Sequence, residues 1–417
     1  MKPNGSVLAI LVLVLVSSVT RAADWPQWRG PHRDGISQET GLLQEWPAEG
    51  PSLAWQAIDI GEGYSTPAIV GDRIYLISNK GMEDEYVQAL DTKEGKEVWR
   101  QRIGNVGPNK GPQYPGSRST VTVDGGMLYA LGSDGDLTCL EASGGKVRWQ
   151  KNLRTDFAGE PGQWAYAESP LIDGDILVCT PGGAEATIVA LDKRTGEGIW
   201  KSAIEGGNQA AYASAIVVNV GNVKQYVQFL QKGLVGVDAT TGKLLWRYER
   251  TAQGSPANIP TPVADGNLIY SAASRSGGGL VKLTANGNAV DAEQVYFEQK
   301  LPTSIGGAVE VDGLLFGTTT QGLICADFAT GEPKWLDRSV GASAVCFADG
   351  RLYLHSEEDD VALVVATAEG YQEKGRFKLP NQPDRGRGKA WAYPVVANGR
   401  LYIRDLGMLW CYDVKSR

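Results

Sequence analysis

The sequence predicts an all-β fold, a single eight-bladed β-propeller of four-stranded antiparallel blades. A nine-residue pattern of an acid, Gly and Trp, with three residues between each and the next, occurs five times. Its Trp residues lie 46 to 51 residues apart or about twice that. Eight Asp-Gly-type or Asn-Gly-type turns flanked by alternating apolar residues run in phase with it. Four strands in each stretch of about 45 residues are typical of a propeller blade. Eight turns therefore predict eight blades.

The Gly and Trp residues recur at the same positions in each copy of the repeat, so we expect them to have structural roles. The glycines are expected to supply a positive φ in a turn: they are Gly95, Gly145, Gly196, Gly242 and Gly331. The tryptophans are expected to pack between neighbouring blades: they are Trp55, Trp99, Trp149, Trp200, Trp246 and Trp335. In two blades the Trp position is degenerate, near Tyr296 or Phe297 and near Phe377.

The two ends of the chain are predicted to meet. The last blade lacks its own fourth strand, because the chain stops soon after Leu409-Trp410-Cys411-Tyr412. The segment around Trp55 is a spare Trp-bearing strand, and we expect it to complete that blade and close the ring, since an open array leaves edge strands unpaired. No convincing helix is expected in the mature chain. The predicted organisation is a signal peptide (1–22), a lead-in (23–49) and the propeller (50–417).

The first 22 residues have the pattern of a cleavable signal peptide. Lys2 precedes ten uninterrupted apolar residues (7–16), and Thr20-Arg21-Ala22 offers small residues where a signal peptidase reads them. Ten apolar residues are too few to cross a bilayer. The alternative is a short buried helix. The mature chain is expected to be soluble, without a transmembrane segment, and to lie in the periplasm or outside the cell.

Composition excludes several functional classes. A net charge of −8 and a pI near 5.1 disfavour nucleic-acid binding, which needs clustered positive charge. Only two histidines occur, His32 and His355, so a multi-His metal site is excluded and no metal site is assigned. No G-x-S-x-G elbow is present, which argues against a hydrolase. The five cysteines lie in apolar runs and are expected to be small buried hydrophobes, although their disulfide pairing stays open.

Three long links enter innermost strands and carry candidate ligand-binding residues at one mouth of the channel. They are residues 105–118, 154–168 and 381–393. Together with a residue of another link they give the candidate set: Tyr114, Arg118, Trp164, Tyr166, Glu168, Asn258, Arg387, Lys389, Trp391 and Tyr393. Cations and aromatic rings at one mouth would suit an anionic, planar or sugar-like ligand. The alternative is an ordinary set of solvated loops whose aromatic side chains plug the channel.

The D-x3-T-G-x3-W repeat resembles that of the pyrroloquinoline-quinone-type eight-bladed propellers, over essentially residues 50–417. In that family the Trp and Gly of the repeat dock one blade on the next. One branch consists of quinoprotein alcohol and glucose-type dehydrogenases, with the quinone and Ca²⁺ on the channel axis. Another branch is non-catalytic and includes the outer-membrane assembly lipoprotein BamB.

Two features place the chain closer to the non-catalytic branch. The adjacent cysteine pair of the alcohol dehydrogenases is absent, and the link 301–307, which matches their Asp base, contains no Asp. If a quinone were bound, the resemblance implies that Arg118, Arg387 and Lys389 would face its carboxylates and that Trp164 and Trp391 would stack on its ring. Glu168 and Asn258 would then be the candidate Ca²⁺ ligands.

The sequence therefore favours an exported, non-catalytic propeller that acts as a binding or scaffold module in the cell envelope, as a monomer with a protein partner and no cofactor. The first alternative is a dehydrogenase that depends on pyrroloquinoline quinone and Ca²⁺. The second is a glycan-binding module that uses Trp164, Trp391 and Tyr393.

Overall fold

The computed structural model describes residues 23–107, 114, 116–206, 209–386 and 388–416. These residues form 32 strands, which pair into eight four-stranded antiparallel sheets. The sheets are the blades of one ring, so the predicted eight-bladed propeller is confirmed. Each blade begins with its innermost strand at the channel and ends with its fourth strand at the rim.

Blades 1 to 4 each take their strands from one continuous stretch of chain. Blade 1 contains β2 (Ala68–Val70), β3 (Arg73–Lys80), β4 (Asp84–Asp91) and β5 (Glu97–Gly104). Blade 2 contains β6 (Thr122–Asp124), β7 (Met127–Leu131), β8 (Asp136–Glu141) and β9 (Val147–Asn152). Blade 3 contains β10 (Leu171–Asp173), β11 (Ile176–Cys179), β12 (Ile188–Asp192) and β13 (Gly198–Ser202). Blade 4 contains β14 (Ile216–Val220), β15 (Val223–Leu230), β16 (Gly233–Asp238) and β17 (Leu244–Tyr248).

Blades 5 to 7 are also each built from one continuous stretch of chain, whereas blade 8 is not. Blade 5 contains β18 (Val263–Asp265), β19 (Leu268–Ala273), β20 (Gly277–Asn286) and β21 (Ala289–Glu298). Blade 6 contains β22 (Ala308–Val311), β23 (Leu314–Thr319), β24 (Gly322–Asp327) and β25 (Pro333–Asp337). Blade 7 contains β26 (Ser343–Ala348), β27 (Arg351–Ser356), β28 (Asp360–Val365) and β29 (Glu373–Lys378). Blade 8 contains β30 (Val395–Ala397), β31 (Arg400–Asp405), β32 (Met408–Asp413) and, as its rim strand, β1 (Ser52–Ala57).

The N-terminal strand closes the ring as predicted. β1 pairs antiparallel with β32, with Ser52 opposite Asp413 and Ala57 opposite Leu409. Blade 8 is thus built from both ends of the chain. This pairing covers the edge of β32 that the last blade would otherwise leave open.

A buried guanidinium fixes blade 8 to blade 1. The side chain of Arg404 on β31 is fully buried and donates to the backbone carbonyls of Gly61, Glu62, Ser65 and Ile77. Burial lowers the pKa of this guanidinium to about 10. The carbonyls belong to β3 and to the link that enters blade 1, so one side chain of blade 8 satisfies several backbone groups of its neighbour.

Every rim strand carries a β-bulge at a corresponding place. The pairing between the third and fourth strands shifts register in all eight blades, for example between Ala89 and Leu90 in blade 1 and between Cys325 and Ala326 in blade 6. A bulge bends and twists an exposed edge, which discourages pairing with another chain. In the six blades whose rim strand carries a repeat Trp, the bulge lies just before that residue.

Most blade junctions are joined by an aromatic side chain packed on a glycine. Gly95, Gly145, Gly196, Gly242 and Gly331 have φ between +71° and +74°, and a Cβ atom at each would lie under 3.0 Å from an aromatic ring of the preceding blade. Five indole nitrogens also donate to backbone carbonyls of the next blade at 2.9 to 3.1 Å: Trp55 to Thr92, Trp99 to Ala142, Trp149 to Lys193, Trp200 to Ala239 and Trp335 to Thr367.

Three junctions use different groups. Trp246 bonds within its own blade, to Gln225 Oε1 at 2.5 Å, because blade 5 has a long β20–β21 hairpin in place of the Gly turn. At the next junction the hydroxyl of Tyr296 donates to the Phe328 carbonyl at 2.9 Å, and its ring packs on Gly331. Between blades 7 and 8 the ring of Phe377 packs against Gly50.

Two smaller findings concern helices and cysteines. The expectation of no helix is wrong at one turn, α1 (Leu153–Asp156), which forms because the Asn152 side chain caps the backbone nitrogens of Arg154 and Thr155. A 3-10 turn, Arg250–Ala252, is the other helical element described. All five cysteines are buried free thiols.

The lead-in lies across the end of the channel where the first and second strands of each blade turn. Trp25 exchanges two backbone hydrogen bonds with Ile69 of blade 1, and Pro26 accepts from Val123 of blade 2. Ser37 bonds to Phe347 of blade 7 through its backbone nitrogen and to Val396 of blade 8 through its hydroxyl.

Two buried arginines tie the lead-in to the far side of the ring. Arg29 donates to the backbone carbonyl of Ala308 in blade 6, and Arg33 donates to those of Ser169 and Pro170 at the start of blade 3. Both side chains are at most 3% exposed, and burial lowers the pKa of Arg33 to about 9. The lead-in therefore plugs this end of the channel and contacts blades on opposite sides of it.

Candidate functional site

A cavity of about 650 Å³ opens at the other end of the channel. Its walls come from the links that enter the innermost strands, with added residues from the β19–β20, β23–β24 and β27–β28 turns. The volume lies within the usual range for small-ligand pockets. Seven of the lining side chains are aromatic: Trp28, Tyr64, Tyr114, Trp164, Tyr212, Trp391 and Tyr393. We call this cavity the aromatic cup.

The floor of the aromatic cup is formed by the lead-in together with Tyr393. The rings of Trp28 and Tyr393 meet edge to face, with centroids 4.6 Å apart. Trp28 Nε1 donates to Thr261 Oγ1 at 2.8 Å, and the Tyr393 hydroxyl donates to the Ile305 carbonyl at 2.6 Å. Because the plug lies below these rings, the cup is reached from the mouth face.

The walls consist of two groups of rings. Trp391 contacts Tyr64 and Tyr114, with centroids 5.2 and 4.6 Å apart and tilted planes. On the other wall Trp164 packs against Tyr212, whose hydroxyl accepts from the Trp164 backbone nitrogen at 3.0 Å. Burial raises the pKa of Tyr64 and of Tyr212, so both phenols stay neutral at physiological pH. The rings surround a ligand site from several directions and do not share one plane.

Charged side chains of both signs line the aromatic cup. Arg118 donates to the carbonyls of Tyr114 and Gly116, and burial lowers its pKa. Arg275, Glu357 and Glu358 also line the cavity. The described lining thus carries two guanidiniums and two carboxylates, and one of these carboxylates, Glu358, is paired with Lys389 outside the lining.

The cations expected from the third link are engaged elsewhere. Lys389 forms an ion pair with Glu358 and does not line the cavity. Arg385 of the same link is held between Asp359 and Asp405, with Nε 2.6 Å from Asp405 Oδ2. Arg387 lies outside the described residues. The partners of Lys389 and Arg385 come from the β27–β28 turn and from the end of β31, whose approach to this link cannot be read from local sequence.

Three further candidates lie away from the aromatic cup. Glu168 is 3% exposed and accepts from the Thr180 backbone nitrogen and from Gln228 Nε2, and burial raises its pKa to about 7. The Asn258 amide donates to the Leu230 and Gln231 carbonyls at 2.7 and 3.0 Å. The hydroxyl of Tyr166 donates to the Pro181 carbonyl at 2.8 Å. The links that carry these three residues have no strand pairing of their own. Their polar side chains therefore bond to backbone groups of neighbouring segments.

The placement of Glu168 and Asn258 bears on the Ca²⁺ and quinone alternative. Neither residue lines the aromatic cup. The Glu168 carboxylate accepts from Thr180 and Gln228, and Asn258 Nδ2 donates to backbone carbonyls, while Asn258 Oδ1 has no partner among the described residues. Within the described residues, no group of three or more His, Cys, Asp or Glu side chains is arranged to hold a metal ion. Glu168 and Asn258 are therefore not among the side chains that line the aromatic cup, and their role as Ca²⁺ ligands stays a prediction.

Several lining residues lie outside the predicted set. Trp28 belongs to the lead-in, and Tyr64 and Tyr212 lie in links other than the three predicted to bind a ligand. These two links end just before an innermost strand, as the three predicted links do. Their position in the repeat is therefore the sequence signal that could have identified them. Ser304 also lines the cup, is 5% exposed, and has no hydrogen-bond partner for Oγ among the described residues. This hydroxyl is available to a ligand.

Within the described part of the chain, none of the helices has the length and apolar character that a membrane crossing requires.

Comparison with known proteins identifies relatives along most of the chain. A family model described as outer membrane protein assembly factor BamB matches residues 36–179 and 83–337. Outer membrane protein assembly factor BamB of Burkholderia pseudomallei is 24% identical over 386 residues, covering 87% of this chain and 88% of that protein. These matches confirm the resemblance predicted from the repeat and place the chain nearer to BamB than to the alcohol dehydrogenases.

Solved structures show the same fold in both branches. BamB from Moraxella catarrhalis superposes with a TM-score of 0.62 at 15% identity, covering 88% of this chain and 98% of that one. A europium-containing methanol dehydrogenase superposes with a TM-score of 0.66 at 11% identity, covering 91% and 89%. The fold alone therefore does not separate a binding protein from a dehydrogenase, and the site residues must do so.

Proposed function

We propose that this chain, which belongs to the family described as outer membrane protein assembly factor BamB, is an exported, non-catalytic propeller that binds a partner protein in the cell envelope. The mouth face is its recognition surface, and the aromatic cup at its centre receives an apolar segment of the partner. The ring closes within one chain, which supports a monomer. The signal-peptide pattern of residues 1–22 supports a location in the periplasm or outside the cell.

The composition of the aromatic cup carries this proposal. Seven aromatic side chains line it, while Glu168 and Asn258, the polar residues proposed for Ca²⁺, are not among the lining residues. Tyr and Trp are enriched in recognition surfaces because a large ring buries much area at little entropic cost. The cup thus has groups suited to recognition of an apolar segment.

A glycan is the second candidate ligand. Trp164, Trp391 and Tyr393 line the same cavity, as the glycan hypothesis requires, and the free Ser304 hydroxyl could bond to a sugar. Each of these rings is tilted against its own neighbour in the cup: Trp391 by 77° from Tyr114, Tyr393 by 66° from Trp28 and Trp164 by 58° from Tyr212. This geometry supports an apolar segment that enters the cup more than a flat sugar platform.

Site-specific photo-crosslinking in intact cells tests the proposed surface. A photoreactive residue in place of Arg275, which is exposed at the rim of the cup, is expected to give a discrete crosslink to one protein. The matched control replaces Asp72, whose side chain is 81% exposed in the β2–β3 turn at the plugged end. Crosslinks of equal strength from both positions, or from neither, would contradict the proposal.

A second variant separates protein binding from glycan binding. Trp391→Ala in the Arg275 probe is expected to reduce the crosslink, because it removes a wall of the cup. Calorimetric titration of the unmodified protein with neutral oligosaccharides is expected to give no saturable heat. Saturable heat that Trp391→Ala abolishes would instead support the glycan candidate.

A further inference from the structure

The backbone nitrogen of Ala23 lies against a carboxylate. It donates to Glu39 Oε1 at 2.6 Å. The same carboxylate accepts from the backbone nitrogens of Asn398 and Gly399, each at 3.0 Å, in the β30–β31 turn of blade 8. Both oxygens of Glu39 are therefore used, and one of them faces the nitrogen that follows the predicted cleavage point.

The residues after Ala23 extend this contact to blade 1. Asp24 accepts from the Gly71 backbone nitrogen at 2.8 Å in the β2–β3 turn, and Trp25 exchanges hydrogen bonds with Ile69 at 2.7 and 2.8 Å. Ala23 and Glu39 thus lie where the inner strands of blades 8 and 1 meet. An interaction here holds the start of the plug on these two blades.

We infer that cleavage between Ala22 and Ala23 creates an ammonium group that Glu39 receives, so that processing completes the plug of the channel. The inference rests on the export part of the proposed function. A signal peptidase adds water across the Ala22–Ala23 peptide bond, leaving a carboxylate on Ala22 and an ammonium on Ala23. Two independent observations meet at this bond: the Thr20-Arg21-Ala22 pattern, and a carboxylate placed on the nitrogen that the cleavage exposes.

Cleavage changes the chemistry of this contact. Before it, the Ala23 nitrogen is a neutral amide with one N–H. Afterwards it is an amine with a usual pKa of about 8, protonated at neutral pH and carrying three donors. Charge-assisted hydrogen bonds are shorter and stronger than neutral ones. The mature protein therefore gains an ion pair that the precursor does not have.

The first test is the mass of the protein recovered after export. A mass that corresponds to a first residue of Ala23 is expected. A mature chain that begins at another residue overturns the inference, and it does so whether or not the protein binds a partner at its mouth face.

The second test measures how much the ammonium of Ala23 protects nearby backbone amides from hydrogen exchange. Protein released from a cleavable fusion to begin at Ala23 is compared with protein that carries two additional residues, Gly-Ser, before Ala23. The extension keeps an ammonium but moves it away from Glu39. Hydrogen exchange of the amides of Ile69, Gly71 and Gly399 is expected to be about two- to fivefold faster in the extended protein, as for an ion pair near the surface.

The control replaces the receiving carboxylate. In Glu39→Gln the Gly-Ser extension is expected to make no difference to exchange, because the amide of Gln carries no charge to pair with the ammonium. Equal exchange in the two proteins that retain Glu39 would overturn the inference. So would an extension effect that persists in Glu39→Gln.

Discussion

The indole nitrogen of Trp28 donates to the hydroxyl oxygen of Thr261 at 2.8 Å, across 233 residues of sequence. This bond joins the lead-in to the link that enters blade 5. It places the Trp28 ring beneath the aromatic cup, where it meets Tyr393 edge to face. The segment before the propeller thus forms the floor of the site, and a ligand reaches the site from the mouth face.

The aromatic–glycine junctions predict a large difference between two glycine substitutions. Gly145→Ala would place a Cβ 2.6 Å from Trp99 Cε3 at a φ of +71°. Both the overlap and the strain destabilise the fold, so we expect a loss of about 4 kcal/mol in the free energy of unfolding. Gly174→Ala is the control, because Gly174 has a φ of +60° and no neighbouring atom within 4 Å. It should lose only about 1 kcal/mol. Urea unfolding measures both, and equal losses would contradict the docking role.

The buried guanidinium of Arg404 predicts a strong dependence of stability on one side chain. Arg404→Met leaves several buried carbonyls of blade 1 without a donor, and we expect a loss of about 3 kcal/mol or more. Arg400→Met is the control, since Arg400 is partly exposed and its nitrogen lies 3.9 Å from Asp413. It should change stability by less than about 0.5 kcal/mol. Chemical unfolding followed by tryptophan fluorescence distinguishes the two outcomes, and similar losses would show that the junction does not depend on Arg404.

Two buried carboxyl groups predict a decrease of stability with rising pH. Burial raises the pKa of Glu85 and of Glu168 to about 7, from a usual value of 4.5. Between pH 4.5 and 7 the folded state binds more protons at these groups than the unfolded state does. Their contribution to stability is therefore present at the acidic end of this window and is lost as pH rises through 7.

Glutamine substitutions test this dependence. Glu85→Gln and Glu168→Gln, alone and together, are expected to flatten the decrease in unfolding free energy between pH 5 and pH 8. Denaturant titrations at each pH provide the measurement. An unchanged slope in the double variant would mean that neither carboxyl group has a raised pKa.

The sequence predicted the propeller well because its repeat is local. The turn glycines, the rim tryptophans and the Asp-Gly-type turns recur within each blade, and the missing fourth strand identified the segment around Trp55 as the closing strand. Trp246 departs from the pattern because blade 5 offers no turn glycine to receive it. The repeat that contains Trp246 matches the other copies, so this exception could not be predicted from it. It depends on the structure of the neighbouring blade.

The candidate site was predicted only in part. Tyr114, Arg118, Trp164, Trp391 and Tyr393 lie together in the aromatic cup. Glu168, Asn258 and Lys389 do not lie in the cup, because each bonds to a residue elsewhere in the chain. No local sequence pattern marks these partners. The floor was missed for the same reason, since the position of Trp28 depends on contacts of the lead-in with opposite sides of the ring.

The most direct test of a non-catalytic binding module is a titration of the mature protein with pyrroloquinoline quinone, with and without Ca²⁺. Tryptophan fluorescence reports binding, and a dye-reduction assay with simple alcohols and sugars runs beside it. We predict no saturable quenching at micromolar quinone and no dye reduction, because Glu168 and Asn258, the candidate Ca²⁺ ligands, do not line the aromatic cup and Lys389 is paired with Glu358. Saturable, Ca²⁺-dependent quenching that Arg118→Ala or Trp391→Ala abolishes, together with dye reduction, would contradict this account and identify an oxidoreductase.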